Sequence, residues 1–268
     1  MLWVPARGGM PGPWRAASST LGRVEVAARW AEAPAFPPAE PPSPADAAAL
    51  RAYEWAAATA LPGLSDVRRV REPATAFTTY HWAVVFHGEY GLADLVRRVQ
   101  EAVNGSTAGP ALEPVAVERV CVPLVRVGEE GLDLAELEWA GRQRCAEGAP
   151  LRLALGPATL GPGSVRLSVA PWDGLLALRH AMRVATRSVV GPRPWLRELT
   201  PYRPHASVAH ARGDVAASEL LPALERLRGL PPVRLRVRRV CLVRVTRLGA
   251  ATDWHDVASV PLGPVRSF

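Results

Sequence analysis

The sequence predicts an α+β fold: two pseudo-symmetric lobes of largely antiparallel sheet, with flanking helices, around a central cleft. Three observations lead there. Several runs place an apolar residue at every second position, the mark of a half-buried strand. Segments of amphipathic helical period separate these runs, and the strand-and-helix theme occurs twice along the chain. At 268 residues, 49% of them hydrophobic, the chain can bury a sizeable core.

Residues 1–44 are rich in Pro and Gly and run into "APAFPPAEPPSPAD", a composition that favours extended chain. A disordered or loosely attached extension is expected there. Residues 45–72 read as a helix and linker, with Pro44 placed to start the helix and Pro62-Gly63 to stop it. The globular part is then expected over 73–268.

Within it, "FTTYHWAVVF" (77–86) is aromatic and β-branched, hence a strand, and "GLADLVRRVQEAV" (91–103) is an amphipathic helix. "VAVERVCVPLVRV" (115–127) is strand-like, and "GLDLAELEWAGRQRCA" (131–146) is helical. The second half repeats the pattern. "LRLALGPA" (151–158) and "SVRLSVAP" (164–171) alternate like antiparallel strands joined by the turn Gly161-Pro162-Gly163. A helix at 174–190, a short strand at 205–211 and a helix at 215–227 follow. "VRLRVRRVCLVRVTRL" (233–248) reads as one long strand, with 253–262 pairing beside it.

Composition narrows the function classes. No apolar run approaches the length of a membrane span, and "MLWVPARGGMPGPWRAASS" lacks the continuous apolar segment of a secretory signal. A soluble, cytoplasmic protein without membrane contact is expected. Cys121, Cys145 and Cys241 are too few and too scattered for a disulfide framework or a zinc site, so no metal or cofactor is expected. The charge of +7 invites a nucleic-acid partner. However, all 32 basic residues are Arg, and both Lys and Ile are missing, which points to a coding bias that raises Arg everywhere. Arg234, Arg236, Arg238, Arg239, Arg244 and Arg247 read first as the wet face of a sheet. If that face lines the cleft, it would attract phosphates.

The chemistry concentrates in "TPYRPHASVAH" (200–210). Residues two apart on a strand face the same side, so His205 and Ser207 share a surface. An imidazole beside a hydroxyl can move a proton and hold a phosphate oxygen. His210 is out of phase with His205, and only a bulge or strand end would aim it at the same surface. Arg212 is a further candidate phosphate ligand. Pro204 and the β-rich run argue against a helical zinc motif built from His205 and His210.

"YRPHASVAH", between a helix and a helix plus long alternating strand, resembles the second signature of the 2H phosphoesterases, which include the 2′-5′ RNA ligase and RNA 2′,3′-cyclic phosphodiesterase proteins. The closing segment with Trp254 and "VPLG", and the opening "TYHWAVVFHGEYGLADLVRRVQEAV", resemble the family's closing strand pair and opening strand and helix. The resemblance implies two His-x-Thr/Ser motifs, one per lobe, acting as base and acid on a phosphodiester. His205 and Ser207 take the second motif's places. By element order, the first motif's places fall to Cys121 and Pro123, so that motif is degraded. A thiol near pKa ~8.5 is a poor substitute, and Pro123 has neither hydroxyl nor N–H. His81 could reach the cleft if its strand flanks the central one, and a packing role competes with that.

Three readings follow: an enzyme acting on RNA ends or 2′,3′-cyclic nucleotides, a non-catalytic relative that binds a nucleotide, RNA or protein partner, and a structural domain whose motif is incidental.

Overall fold

The computed structural model describes residues 40–66, 77–193, 196, 202–248 and 251–263. The Pro- and Gly-rich stretch up to residue 39 and most of the expected linker lie outside the described residues. So do residues 200 and 201 of the motif stretch and the chain end after residue 263.

The described chain has five α-helices: α1 (Ala47–Ala60), α2 (Tyr90–Asn104), α3 (Leu134–Cys145), α4 (Asp173–Val190) and α5 (Ala217–Leu227). Their strands are β1 (Gly63–Leu64), β2 (Phe77–Val85), β3 (Leu112–Pro114), β4 (Cys121–Gly128), β5 (Leu151–Gly161), β6 (Ser164–Ala170), β7 (His205–Ala211), β8 (Val215–Ala216), β9 (Val233–Val237), β10 (Arg239–Leu248) and β11 (Ala251–Pro261). One sheet has the order β11-β10-β2-β4 and a second the order β3-β7-β6-β5-β9, with all pairs antiparallel. The α+β class and its two antiparallel sheets match the expectation.

Local chemistry sets the helix ends. Asp46 caps α1 by accepting from the Ala48 and Ala49 N–H groups at 3.0 and 2.9 Å. Asp133 caps α3 by accepting from Glu136 N–H at 2.9 Å. Gly191 ends α4 at φ 72°, where a side chain would be strained.

Each sheet is covered on one face by a helix pair. Against β2, the fully buried Trp82 donates its indole N–H to Thr186 of α4 at 3.1 Å. Gly141 of α3 leaves room for the same ring: a Cβ there would lie 3.1 Å from it. The second sheet turns Leu155, Leu167, Ala206 and Val208 inward, into one core with Leu95 and Val99 of α2 and Leu220 and Leu224 of α5.

Two features depart from the expected layout. The stretch 233–248 is two strands: β9 closes the edge of one sheet and β10 crosses into the other. The doubled Arg238-Arg239 shifts the alternation, so the inward residues change from Leu235 and Val237 to Val240 and Leu242. Helix α1, expected ahead of the globular part, is instead packed onto β5 and β6, with Leu50, Ala57 and Ala58 buried. Its ends are tied by backbone hydrogen bonds. The Pro44 carbonyl accepts from Trp172 N–H at 2.7 Å, and β1 pairs with β8.

Candidate functional site

The register of β6 and β7 builds the site. Ser168 pairs with His205 and Arg166 with Ser207, which puts these four side chains on the face away from α2 and α5. Between Ser207 and Ala209 the register shifts, and Val208 is the extra residue of a β-bulge. Its carbonyl is satisfied by Val115 N–H and by the Gln100 amide, both at 2.9 Å. Past the bulge His210 pairs with Ser164, so it returns to the His205 face.

A short relay runs across these strands. Arg166 Nε donates to Ser164 Oγ at 2.8 Å, and Ser207 Oγ donates to the same oxygen at 3.1 Å. Gly161 makes space for the guanidinium, because a Cβ there would fall 2.0 Å from its carbon. His205 Nδ1 lies 2.9 Å from the Arg203 carbonyl, which can only accept. The ring is therefore the Nδ1–H tautomer, with its Nε2 lone pair free to take a proton. Burial and Arg166 push His205 down to about 3, against the hydrogen bond to Arg203. It is neutral at physiological pH.

The remaining expected site residues lie elsewhere. Arg212 is exposed and its guanidinium reaches Glu113 at 3.4 Å, across the edge pair β3–β7. Cys121 and Pro123 sit on β4, on the face shared with Ala83 and Val85. Burial, with Asp256 and Cys241 nearby, pushes the Cys121 thiol up to about 12, so it carries no thiolate at neutral pH. Pro123 is exposed, and its carbonyl accepts from the Tyr202 hydroxyl at 2.7 Å. Arg179 lies 4.4 Å over the Tyr202 ring and donates to the Leu124 carbonyl at 3.0 Å. These contacts tie this stretch of β4 to the segment that leads into His205.

His81 is on β2, an interior strand, paired with Val243 and Arg126. Its Nε2 is 2.9 Å from Thr79 Oγ1, and burial with Arg126 and Arg247 pushes its pKa down to about 4. It is held by packing and by Thr79. Of the arginines of 233–248, Arg234 and Arg236 are exposed on β9, where they pair with Ala154 and Arg152. That agrees with the wet-face reading for these two, whereas Arg244 of β10 is half-buried with its Nε enclosed.

The structure adds residues that the motif did not point to. Glu54 of α1, 7% exposed, lies over the His205 face. It shares a cavity of about 10 Å³ with Thr159, Arg166, Arg203 and His205, room for roughly one water molecule. Burial pushes Glu54 up to about 7, although the Ser168 hydroxyl and then the charges of Arg166 and Arg51 pull it down. Its Oε2 has no hydrogen-bond partner among the described residues.

These shifts fix a pH dependence. Unfolded histidines take up protons near pH 6.5, whereas His205 and His81 resist until about 3 and 4. As pH falls below 6.5 the unfolded chain binds more protons, so stability is lost. Glu54 opposes this: its native value is raised, so its contribution is full below 4.5 and is lost as pH rises to about 7. Two groups outweigh one. Thermal melts from pH 6.5 down to 4.5 should show falling stability, by about 1.4 kcal/mol per pH unit for the net proton. Glu54→Gln should steepen the fall. A flat profile would show that only one of the two imidazoles is held neutral, and rising stability that neither is.

No described helix is long and apolar enough to cross a membrane. The model of the 2′-5′ RNA ligase superfamily matches residues 122–248, beginning one residue after Cys121. No curated protein matches the sequence. The fold is similar to that of TT0787 from Thermus thermophilus, at 20% identity and TM-score 0.53, covering 70% of this chain and 100% of that one. It is also similar to E. coli LigT complexed with 3′-AMP, at 15% identity and TM-score 0.51, covering 70% and 99%. A structure described as a phosphoesterase matches at 16% identity and TM-score 0.50, covering 69% and 99%. From Val122 in β4 to Leu248 in β10, the chain carries the match to the 2′-5′ RNA ligase superfamily, the 2H phosphoesterases.

Proposed function

We propose that this chain binds RNA ends or 2′,3′-cyclic nucleotides through their phosphate and does not cleave them. The observation that carries this reading is the contrast between the β7 residues and the β4 residues to which element order assigns the first motif's places. On β7, His205 and Ser207 share a face with Arg166, a group able to hold a phosphate oxygen. On β4, the corresponding places hold a protonated thiol and a proline. Phosphodiester hydrolysis needs a proton removed at the attacking oxygen and one delivered at the departing oxygen, on opposite sides of phosphorus. His205 can serve one side. Neither Cys121 nor Pro123 can serve the other. The nucleotide in the LigT complex belongs to that protein, and it supports the ligand class chosen here.

The test is incubation of the full chain with 2′,3′-cyclic AMP, alongside His205→Ala, with binding followed separately on an oligonucleotide ending in a cyclic phosphate. We expect no turnover above buffer, and binding that weakens with salt because it neutralises phosphate charge. Turnover by the wild type that vanishes in His205→Ala would establish an active enzyme and overturn the reading.

A further inference from the structure

Helix α1 places an acid where the proposed site should hold an anion. Glu54 is buried over the His205 face, beside Arg166, in a cavity with room for about one water. A phosphate entering that space must displace the carboxylate from beside Arg166. Burying an acid with an unpartnered oxygen is unfavourable, and an apolar residue would suit a helix face that also buries Leu50, Ala57 and Ala58. The carboxylate gains from the positive charge of Arg166 and Arg51, the same charge that would attract a phosphate.

We propose that α1 is an internal plug of the His205 half-site, in which the Glu54 carboxylate takes the place of a phosphate group. This rests on reading the half-site as a phosphate site. The plug is strapped on. Trp172 and Asp173 N–H groups both donate to the Pro44 carbonyl ahead of α1, and Ser65 N–H after it donates to the Pro162 carbonyl. Thr159 Oγ1 also donates to the Glu54 main-chain carbonyl at 3.2 Å. An entering anion therefore competes with one side chain and leaves the helix in place. Removing the negative charge leaves Arg166 to the entering anion.

Calorimetric titration of the full chain with 3′-AMP tests this, comparing wild type, Glu54→Gln and Glu54→Ala, with circular dichroism confirming that each is folded. Glu54→Gln keeps the side chain's shape and removes its charge, and Glu54→Ala removes both. We expect both variants to bind at least about tenfold more tightly than wild type, and Arg166→Ala in the Glu54→Gln background to abolish the gain. Equal binding by wild type and both variants overturns the plug and leaves the phosphate-site reading standing. No binding by any variant at millimolar nucleotide overturns both.

Discussion

A full chain carrying Cys121→His, Pro123→Thr and Glu54→Gln is expected to hydrolyse 2′,3′-cyclic AMP faster than Glu54→Gln alone, by roughly 10² to 10⁴-fold, the usual contribution of one acid/base group. The physical case rests on what surrounds β4. Cys121 lies close enough to Asp256 for that carboxylate to raise its thiol. The same charge would hold an imidazole in the protonated form, which suits it to protonate the departing oxygen. His205 already offers a free Nε2 lone pair to the attacking water, although its low pKa makes it a weak base and places the gain towards the lower end. Threonine at 123 would restore a hydroxyl and a backbone N–H opposite Ala83, within the β2–β4 register. Glu54→Gln is included because the carboxylate otherwise competes with the phosphate for Arg166. The measurement is the initial rate of ring opening, with His205→Ala added to the triple variant as control. Equal rates for the triple variant and Glu54→Gln, both folded, would show that position 121 does not face the reacting phosphate.

Much of this arrangement is legible in the chain itself, and the gaps have physical causes. His205 and Ser207 are separated by two on a strand, so their shared face follows from the pleat alone. His210 does not follow from the pleat. Its return to that face depends on the Val208 bulge, which exists because Gln100 and Val115 can bind the spare carbonyl. Those partners lie about a hundred residues upstream, beyond any local pattern. Ser164, Arg166 and Ser168 mark the polar side of β6 by their spacing, yet nothing in the sequence says which strand lies next to it. Glu54 was recoverable in part: it stands four residues after Leu50 and three before Ala57, so a helical reading puts it on a buried stripe. An acid on such a stripe needs a partner. Only the tertiary packing supplies Arg166. The break of 233–248 was written in the doubled Arg238-Arg239, where alternation changes phase while the apolar content stays high.

Trp172→Ala is expected to destabilise the chain by about 3–5 kcal/mol, the range for truncating a buried tryptophan, and to act first on α1. The indole is 1% exposed, donates Nε1–H to the Val169 carbonyl at 2.6 Å, and meets Tyr53 edge-on with ring centres 6.4 Å apart. With Leu50 and Ala170 it forms a buried cluster apart from the main core, and Arg203 lies 5.9 Å over its ring. Truncation therefore removes the largest side chain of the cluster on which the front half of α1 rests, and leaves a cavity between the helix and β6. The strap at Pro44 uses the backbone N–H of Trp172, which alanine retains, so α1 loosens before it leaves. Denaturant unfolding should register the loss of total stability. Amide exchange should show its first and largest loss of protection in Leu50–Ala58, while the β10–β11 pair keeps its protection until global unfolding. The same variant should bind 3′-AMP more tightly than wild type, because a loosened α1 no longer presses Glu54 against Arg166. Uniform loss of protection across both sheets would mean that Trp172 supports the fold as a whole and does not specifically seat the plug.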